Sequence, residues 1–358
     1  MGSLALATVL LGAALLASMV SVEFGISVAL IELALAVVVG NAFHIATPDW
    51  LVFLAGFAGV VLTFLAGATE RVQLGSMVVV LPWHNPMRVA EQIAVLDHVS
   101  NGRFVLGLGR GLGRVEFDGF GVSMDSSRER FTESAEMILT GLERGYCEYD
   151  GKLVKQVRRE IRPKPFKSFR GRSYAAAVSP ESGPVIAKLG LGMLIIPQKP
   201  WEMVTEELRN YNAVYQQVNG VPAPPSICAG WVFCDEDAGR AEEKARQYIG
   251  GYWHTVLKHY ELRGDHLAKT KGYESYARMQ QIASAPGGAD AMIDFFLGLQ
   301  VWGTPERCYQ TIVDTQKRVG SDRFVGVFSY AGMPAAESER NMRLFAHQVL
   351  PELNRYEV

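Results

Sequence analysis

Two short runs carry residues suited to holding an anion. The first, Ala175–Pro184 (AAAVSPESGP), reads as a strand running into a helix. Free backbone N–H groups at such a helix start, with the Ser179 and Ser182 hydroxyls, form a natural phosphate cradle. Pro180 and Pro184 stiffen the approach, while Glu181 is awkward beside a phosphate and suits capping of the first turn. Ser-Pro-Glu-Ser is also an ordinary helix start. The second run, Gly107–Gly113 (GLGRGLG), stands at the end of an apolar strand. Glycines allow close backbone approach to a ligand, and Arg110 offers a planar cation for a phosphate or an electron-rich ring. The aromatic, glycine-broken segment that follows does not make a dinucleotide fingerprint. Metal chemistry finds no footing: Cys147, Cys228, Cys234 and Cys308 are scattered without CxxC spacing and read as reduced, buried thiols.

Both runs sit at the carboxyl ends of expected strands. From Arg71 onward, short apolar strands alternate with amphipathic helices. The strands are Val72–Leu81, Arg103–Gly109, Tyr174–Val178, Met193–Ile196, Ile227–Phe233 and Phe324–Ser329. Their β-branched and apolar runs suit burial on both faces. The helices are Pro86–Val99, Ser127–Arg144, Glu181–Leu189, Trp201–Val218, Asp237–His259, Pro305–Val319 and Ala336–Val349, with Asp235 and Thr304-Pro305-Glu306 as helix starts. Such alternation predicts a parallel sheet closing towards a TIM-type (β/α) barrel, whose active site forms at the strand carboxyl ends. Six strands are legible where a closed barrel needs eight. The fold class is therefore α/β, a barrel without its first two strands, with Val72–Leu81 and Phe324–Ser329 as exposed edges.

Charge divides the chain. None of the 35 Lys and Arg residues lies before Arg71, and the only acidic side chains there are Glu23, Glu32, Asp49 and Glu70. A net charge of −2 gives no overall indication of a nucleic-acid partner. Leu4–Val20, Phe24–Val39 and Leu51–Ala68 are apolar enough to read as membrane helices, giving a domain 1–68 ahead of a barrel domain 69–358. Buried helices of a soluble protein are the plainer reading. On the membrane reading, Arg71 and Arg88 place the barrel on the cytoplasmic side, anchored by residues 1–68. Glu32 reads as a protonated or snorkelling carboxylate rather than an ion ligand.

Against these elements a resemblance becomes specific. The segments Arg71–Gly111, Phe120–Phe131 (FGVSMDSSRERF), Ala175–Leu194, Lys271–Met279 (KGYESYARM), Val301–Ile312 and Met342–Leu353 resemble, in order and spacing, the bacterial luciferase-like monooxygenases. The resemblance implies a barrel that binds reduced flavin mononucleotide (FMN), supplied by a separate reductase, and uses molecular oxygen on a small organic substrate. Met77–Val78 matches the position of a non-prolyl cis peptide under the flavin ring. Arg110 and Gly111 match strand-end positions near the flavin, and Glu181 and Ser182 match a Glu-Ser pair at its phosphate. His84, on the loop after the first strand, is the candidate catalytic residue, contacting flavin or substrate; a loop histidine bonded to nearby backbone is the alternative. The family's luciferases carry a reactive cysteine where this chain has Gly109, so light emission gains no support. Dimerisation is common among the lookalikes.

Oxygen activation belongs to such a cofactor, and the protein supplies orientation and a dry pocket. The stretch Gly250–Leu299 suits a lid. Its Tyr252, Trp253, Tyr260 and Phe295 suit a substrate pocket, or plain core. Where the family pattern begins with a strand, a helix and a second strand, residues 1–68 instead resemble the first helices of monovalent cation/proton antiporters, as in a gene fusion. The competing expectations are a deazaflavin-dependent oxidoreductase of the same fold and a non-catalytic, membrane-tethered chimera.

Overall fold

The computed structural model describes residues 61–356. The antiporter-like words, Glu32, the first two apolar stretches and most of the third lie outside these residues. Among the described residues no helix is long and apolar enough to cross a membrane. The chain divides between Val60 and Val61, so the final eight residues of the third apolar stretch fold with the sheet. They form a helix over 61–68. Ala66 is buried in the main core, and Leu62 packs against it. Arg103 collects the carbonyls that the helix end leaves unpaired, donating to Ala66 at 2.8 Å and to Thr69 at 2.7 Å.

The sheet is parallel. Its first strand is split into β1 (Leu74–Gly75) and β2 (Val79–Val80), both paired with β3 (Phe104–Gly109). Between β1 and β2 the chain leaves the ladder around a cis peptide joining Met77 to Val78. The expected single strand to Leu81 is thus two short pieces, and Leu81–Trp83 is a turn of 3-10 helix. The helix α1 (Pro86–Val99) leads into β3; Asn85 caps its start by accepting from the Met87 and Arg88 N–H groups. The short α2 (Arg114–Gly119) follows β3, then the longer α3 (Ser127–Arg144).

An antiparallel hairpin, β4 (Tyr146–Asp150) and β5 (Lys155–Glu160), stands apart from the sheet. Next come β6 (Ser173–Ala177), α4 (Ser182–Lys188), β7 (Gly192–Ile195), α5 (Trp201–Asn219) and β8 (Ser226–Cys234). The helices α6 (Ala238–His259), α7 (His266–Lys269), α8 (Ala277–Ser284) and α9 (Gly288–Gly298) fill the segment proposed as a lid. The chain ends with β9 (Val301–Gly303), α10 (Pro305–Val319), β10 (Ser321–Val327), α11 (Ala335–Gln348) and α12 (Leu350–Arg355).

Strand order runs β1/β2, β3, β6, β7, β8, β10, with β9 beside the carboxyl end of β8. The six expected barrel strands are therefore present in sequence order. Among the described residues nothing pairs with the outer edges of β1/β2 or β10. Alternation along the strands sorts their side chains. Phe104, Leu106 and Leu108 pack outward in the helix-covered core. Val105, Tyr174, Leu194 and Ile227 meet on the concave side, with Val78 and Val325 against them.

Charged groups tie the layers together. Asp97 of α1 is fully buried, and Arg172, just before β6, holds it with two hydrogen bonds of 2.5 and 2.7 Å. Thr304 caps α10 as expected, accepting from the Arg307 N–H. The α6 cap is Asp237 rather than Asp235. Asp235 is instead buried against Arg240 and Arg340, because α11 packs over the end of β8 and brings a second guanidinium to it.

Candidate active site at the carboxyl ends of the strands

β3 and β6 are adjacent and parallel, with Gly107 opposite Tyr174 and Leu108 opposite Ala175. Arg110 and Ser179, each just beyond its strand, therefore emerge at the same end of the sheet. The two runs that the sequence marks as candidate anion sites share one mouth, and a third segment joins them there. The Arg110 guanidinium donates to the Gly272 carbonyl oxygen at 2.7 Å and lies over the Tyr273 ring, 3.9 Å from its centroid. Arg128, in the first turn of α3, donates to the same carbonyl at 3.2 Å and lies 3.7 Å from the Glu181 carboxylate. Burial pulls Arg110 below its ordinary value; Tyr273 opposes that shift and neighbouring Arg128 adds to it.

Two guanidinium groups thus converge, with the Glu181 carboxylate near Arg128 and Glu274, which accepts from the Gly272 N–H, within reach of both charges. Ser179 is buried, and its hydroxyl lies 2.9 Å from that of Ser182. Lys199, at the end of β7, steadies this turn by donating to the Val178 carbonyl at 2.9 Å, and its other partner is Glu207. Glu181 makes no side-chain capping bond to α4. Its carboxylate is directed towards Arg128 instead, and α4 is only seven residues long, so side chains rather than a helix end are the anion-seeking groups here.

The glycines of the second run serve the protein's own packing. A methyl group at Gly107 would collide with the Ser76 carbonyl, and one at Gly109 with the Val78 side chain. Any larger residue at 109 requires Val78 to move. Gly111 has φ +85°, and a side chain there would press on Val80, Trp83 and Phe117. Close approach is real at these positions, but its partners are the chain between β1 and β2, Val80 of β2, Trp83 and Phe117 of α2.

Met77 is half exposed at 50%, while Val78 turns onto the concave side. His84 is half-buried beside a cleft of about 220 Å³ lined also by Arg130, Ser134, Lys155 and Gln156. Burial pushes its imidazole below the usual value. That cleft contains none of Arg110, Ser179, Glu181 or Ser182. Of the lid aromatics, Trp253 is core, stacked on Phe296 at 4.4 Å, and Phe295 is 43% exposed. The four cysteines are free and buried.

The sequence reading missed Arg128, because SSRERF reads as the charged first turn of an ordinary amphipathic helix. It missed Tyr273 because that residue meets Arg110 only through the fold. Their common signal was position within the quoted family-like words.

The family model of luciferase-like monooxygenases matches residues 44–322. The chain belongs to the luciferase-like monooxygenase family. A luciferase-like relative, the alkanal monooxygenase alpha chain of Photorhabdus laumondii subsp. laumondii, is 27% identical over 84% of this chain and 84% of its own length. Among solved structures, a monooxygenase from Streptomyces bottropensis superimposes with a TM-score of 0.63 at 24% identity, covering 82% of each chain. The oxygenating constituent of 3,6-diketocamphane monooxygenase from Pseudomonas putida, in complex with FMN, gives 0.59 at 16% identity, with 82% and 84% covered. These likenesses establish the fold. Luciferase-like barrels bind a flavin or a deazaflavin.

The donor set here fits a phosphate-bearing group of that kind. Two guanidinium groups and two hydroxyls suit a dianion. The buried indole N–H of Trp83, on the ring that packs beside Gly111, has no partner among the described residues and suits an acceptor on a ligand.

Proposed function

We propose that this chain is a flavin-dependent monooxygenase that takes reduced FMN from a separate reductase and oxidises a small organic molecule with molecular oxygen. When bound, the flavin supplies the reducing electrons and the site of oxygen activation. The chain's own residues bind, orient and exclude water. Arg110, Arg128, Ser179 and Ser182 hold the phosphate, with Glu181 keeping Arg128 in place. The Met77–Val78 peptide and Gly111 lie on the ring side. His84 serves the substrate side: burial favours its neutral imidazole, which can accept or return a proton at neutral pH. A homodimer is the expected assembly.

The observation that carries this reading is the convergence of Arg110 and Arg128 on one carbonyl beside Ser179 and Ser182. Titration of the purified protein with FMN tests it. Arg110→Ala and Ser182→Ala are expected to weaken binding at least tenfold and roughly threefold, whereas His84→Ala lowers substrate-dependent oxygen consumption with FMN affinity kept. Unchanged affinity in both of the first two variants would remove the site assignment.

A further inference from the structure

The segment Gly272–Tyr276 does more than cover the mouth. Resting on the reading that Arg110 takes the cofactor's phosphate, we propose that Tyr273 is a positioning residue: its ring fixes the direction of the Arg110 guanidinium, so that the segment between α7 and α8 responds to a phosphate and not to the flavin ring.

Four contacts support the assignment. The Arg110 guanidinium lies 3.9 Å from the centre of the Tyr273 ring, a cation–π distance that restricts rotation of the cation about its stem. One of its N–H groups is taken by the Gly272 carbonyl at 2.7 Å. That is the only protein acceptor Arg110 has among the described residues, so the remaining donors of the fork are available to a ligand. The Tyr273 ring is itself fixed, fully buried, with its hydroxyl donating to the Gly111 carbonyl at 2.9 Å and lying 3.1 Å from Ser127 Oγ. Gly272 has φ +82°, and a side chain there would press on Arg110 and Arg128, so the turn presents its carbonyl to two cations only while position 272 stays bare.

A cation held by a ring and a carbonyl, with guanidinium donors left over, is arranged for an acceptor that arrives later. A phosphate would neutralise Arg110 and Arg128 together and remove the repulsion between them. It would thereby strengthen the hold of both on Gly272. A flavin without its phosphate offers nothing at this point.

The test compares FMN with riboflavin, which lacks the phosphate, by fluorescence titration of the full chain. The native protein is expected to prefer FMN at least tenfold. Tyr273→Leu should weaken FMN at least fivefold while riboflavin stays within twofold, and Tyr273→Phe, which keeps the ring over Arg110, should restore most of the preference. Equal weakening of both ligands in Tyr273→Leu would mean a structural role only and would overturn the proposal. So would an unaltered preference in that variant, or a Phe variant no better than Leu. If Arg110→Ala leaves the preference unchanged, the phosphate reading itself fails. If Arg110→Ala abolishes the preference and Tyr273→Leu does not, only the role of Tyr273 falls. Limited proteolysis between α7 and α8 gives an independent measure, with protection by FMN and none by riboflavin.

Discussion

The middle of the sheet and its two margins are built from similar residues and live in different surroundings. All six residues of β3 (FVLGLG) are buried, between β1/β2 on one side and β6 on the other, under α1. Strand β10 (SDRFVGV) has a comparable Phe-Val-Gly run, yet only Ser321 is fully buried and Phe324–Val327 are partly buried. Val72 and Met77, at the opposite margin, are exposed at 59% and 50%. The difference teaches that an apolar strand sequence specifies membership of a sheet and leaves open how many neighbours the strand obtains. Two-sided burial comes from the partners, which among the described residues are present for β3 and lacking on one side for β10.

Breaking a tie in the middle should cost most. Arg172→Ala leaves the fully buried Asp97 carboxylate without its cation, and loss of one partner of such a pair costs about 3–5 kcal/mol. Urea unfolding should show a large fall in midpoint; a loss below about 1 kcal/mol would mean that the α1–β3–β6 junction is held by something else. A direct contrast comes next. Leu108→Ala in β3 opens a cavity in close-packed surroundings and should cost about 2–5 kcal/mol, whereas Val325→Ala in β10 should cost about 1 kcal/mol. Equal losses would erase the distinction between middle and margin.

The smallest effect is a pH dependence at the first margin's loop. Burial lowers the folded-state pKa of His84, so the unfolded chain binds its proton more readily. The stability this histidine allows is complete above the ordinary imidazole value of about 6.5 and is lost as pH falls from there through the folded value. His84→Gln should flatten the dependence of the unfolding midpoint across that window, and a slope identical to the native protein's would exclude His84 as its source.

Much of this architecture was legible in the sequence. The barrel strands showed as apolar runs, and α1, α3 and α10 have the expected ends, because Asn85, Gly145, Thr304 and Gly320 supply caps and stops. The hairpin β4–β5 was not legible, since KQVRRE is exposed on both faces and shows no alternation of apolar and polar residues. β9 has three residues, too few for a pattern. At the site, Arg110, Ser179 and Ser182 could be placed on one mouth because strand ends share a direction in a parallel sheet. Arg128 and Tyr273 could not, because their meeting depends on how a long insertion folds back. The glycines are ambiguous for a physical reason: absence of a side chain signals close approach without saying whether a ligand or a strand approaches.

One detail bears on the shape of the mouth. β7 and β8 pair only at Leu194–Ile227 and Ile195–Cys228, and beyond that point the Gln300 carboxamide bridges them, accepting from the Trp231 N–H at 3.1 Å and donating to the Pro197 carbonyl at 3.2 Å. A single buried amide thus links the two strands where their backbone pairing stops. Shortening residue 300 would leave the Trp231 N–H and the Pro197 carbonyl without their shared partner. The two strands would lose their only side-chain bridge of this kind among the described residues, while the Leu194–Ile227 and Ile195–Cys228 pairs below stay in place.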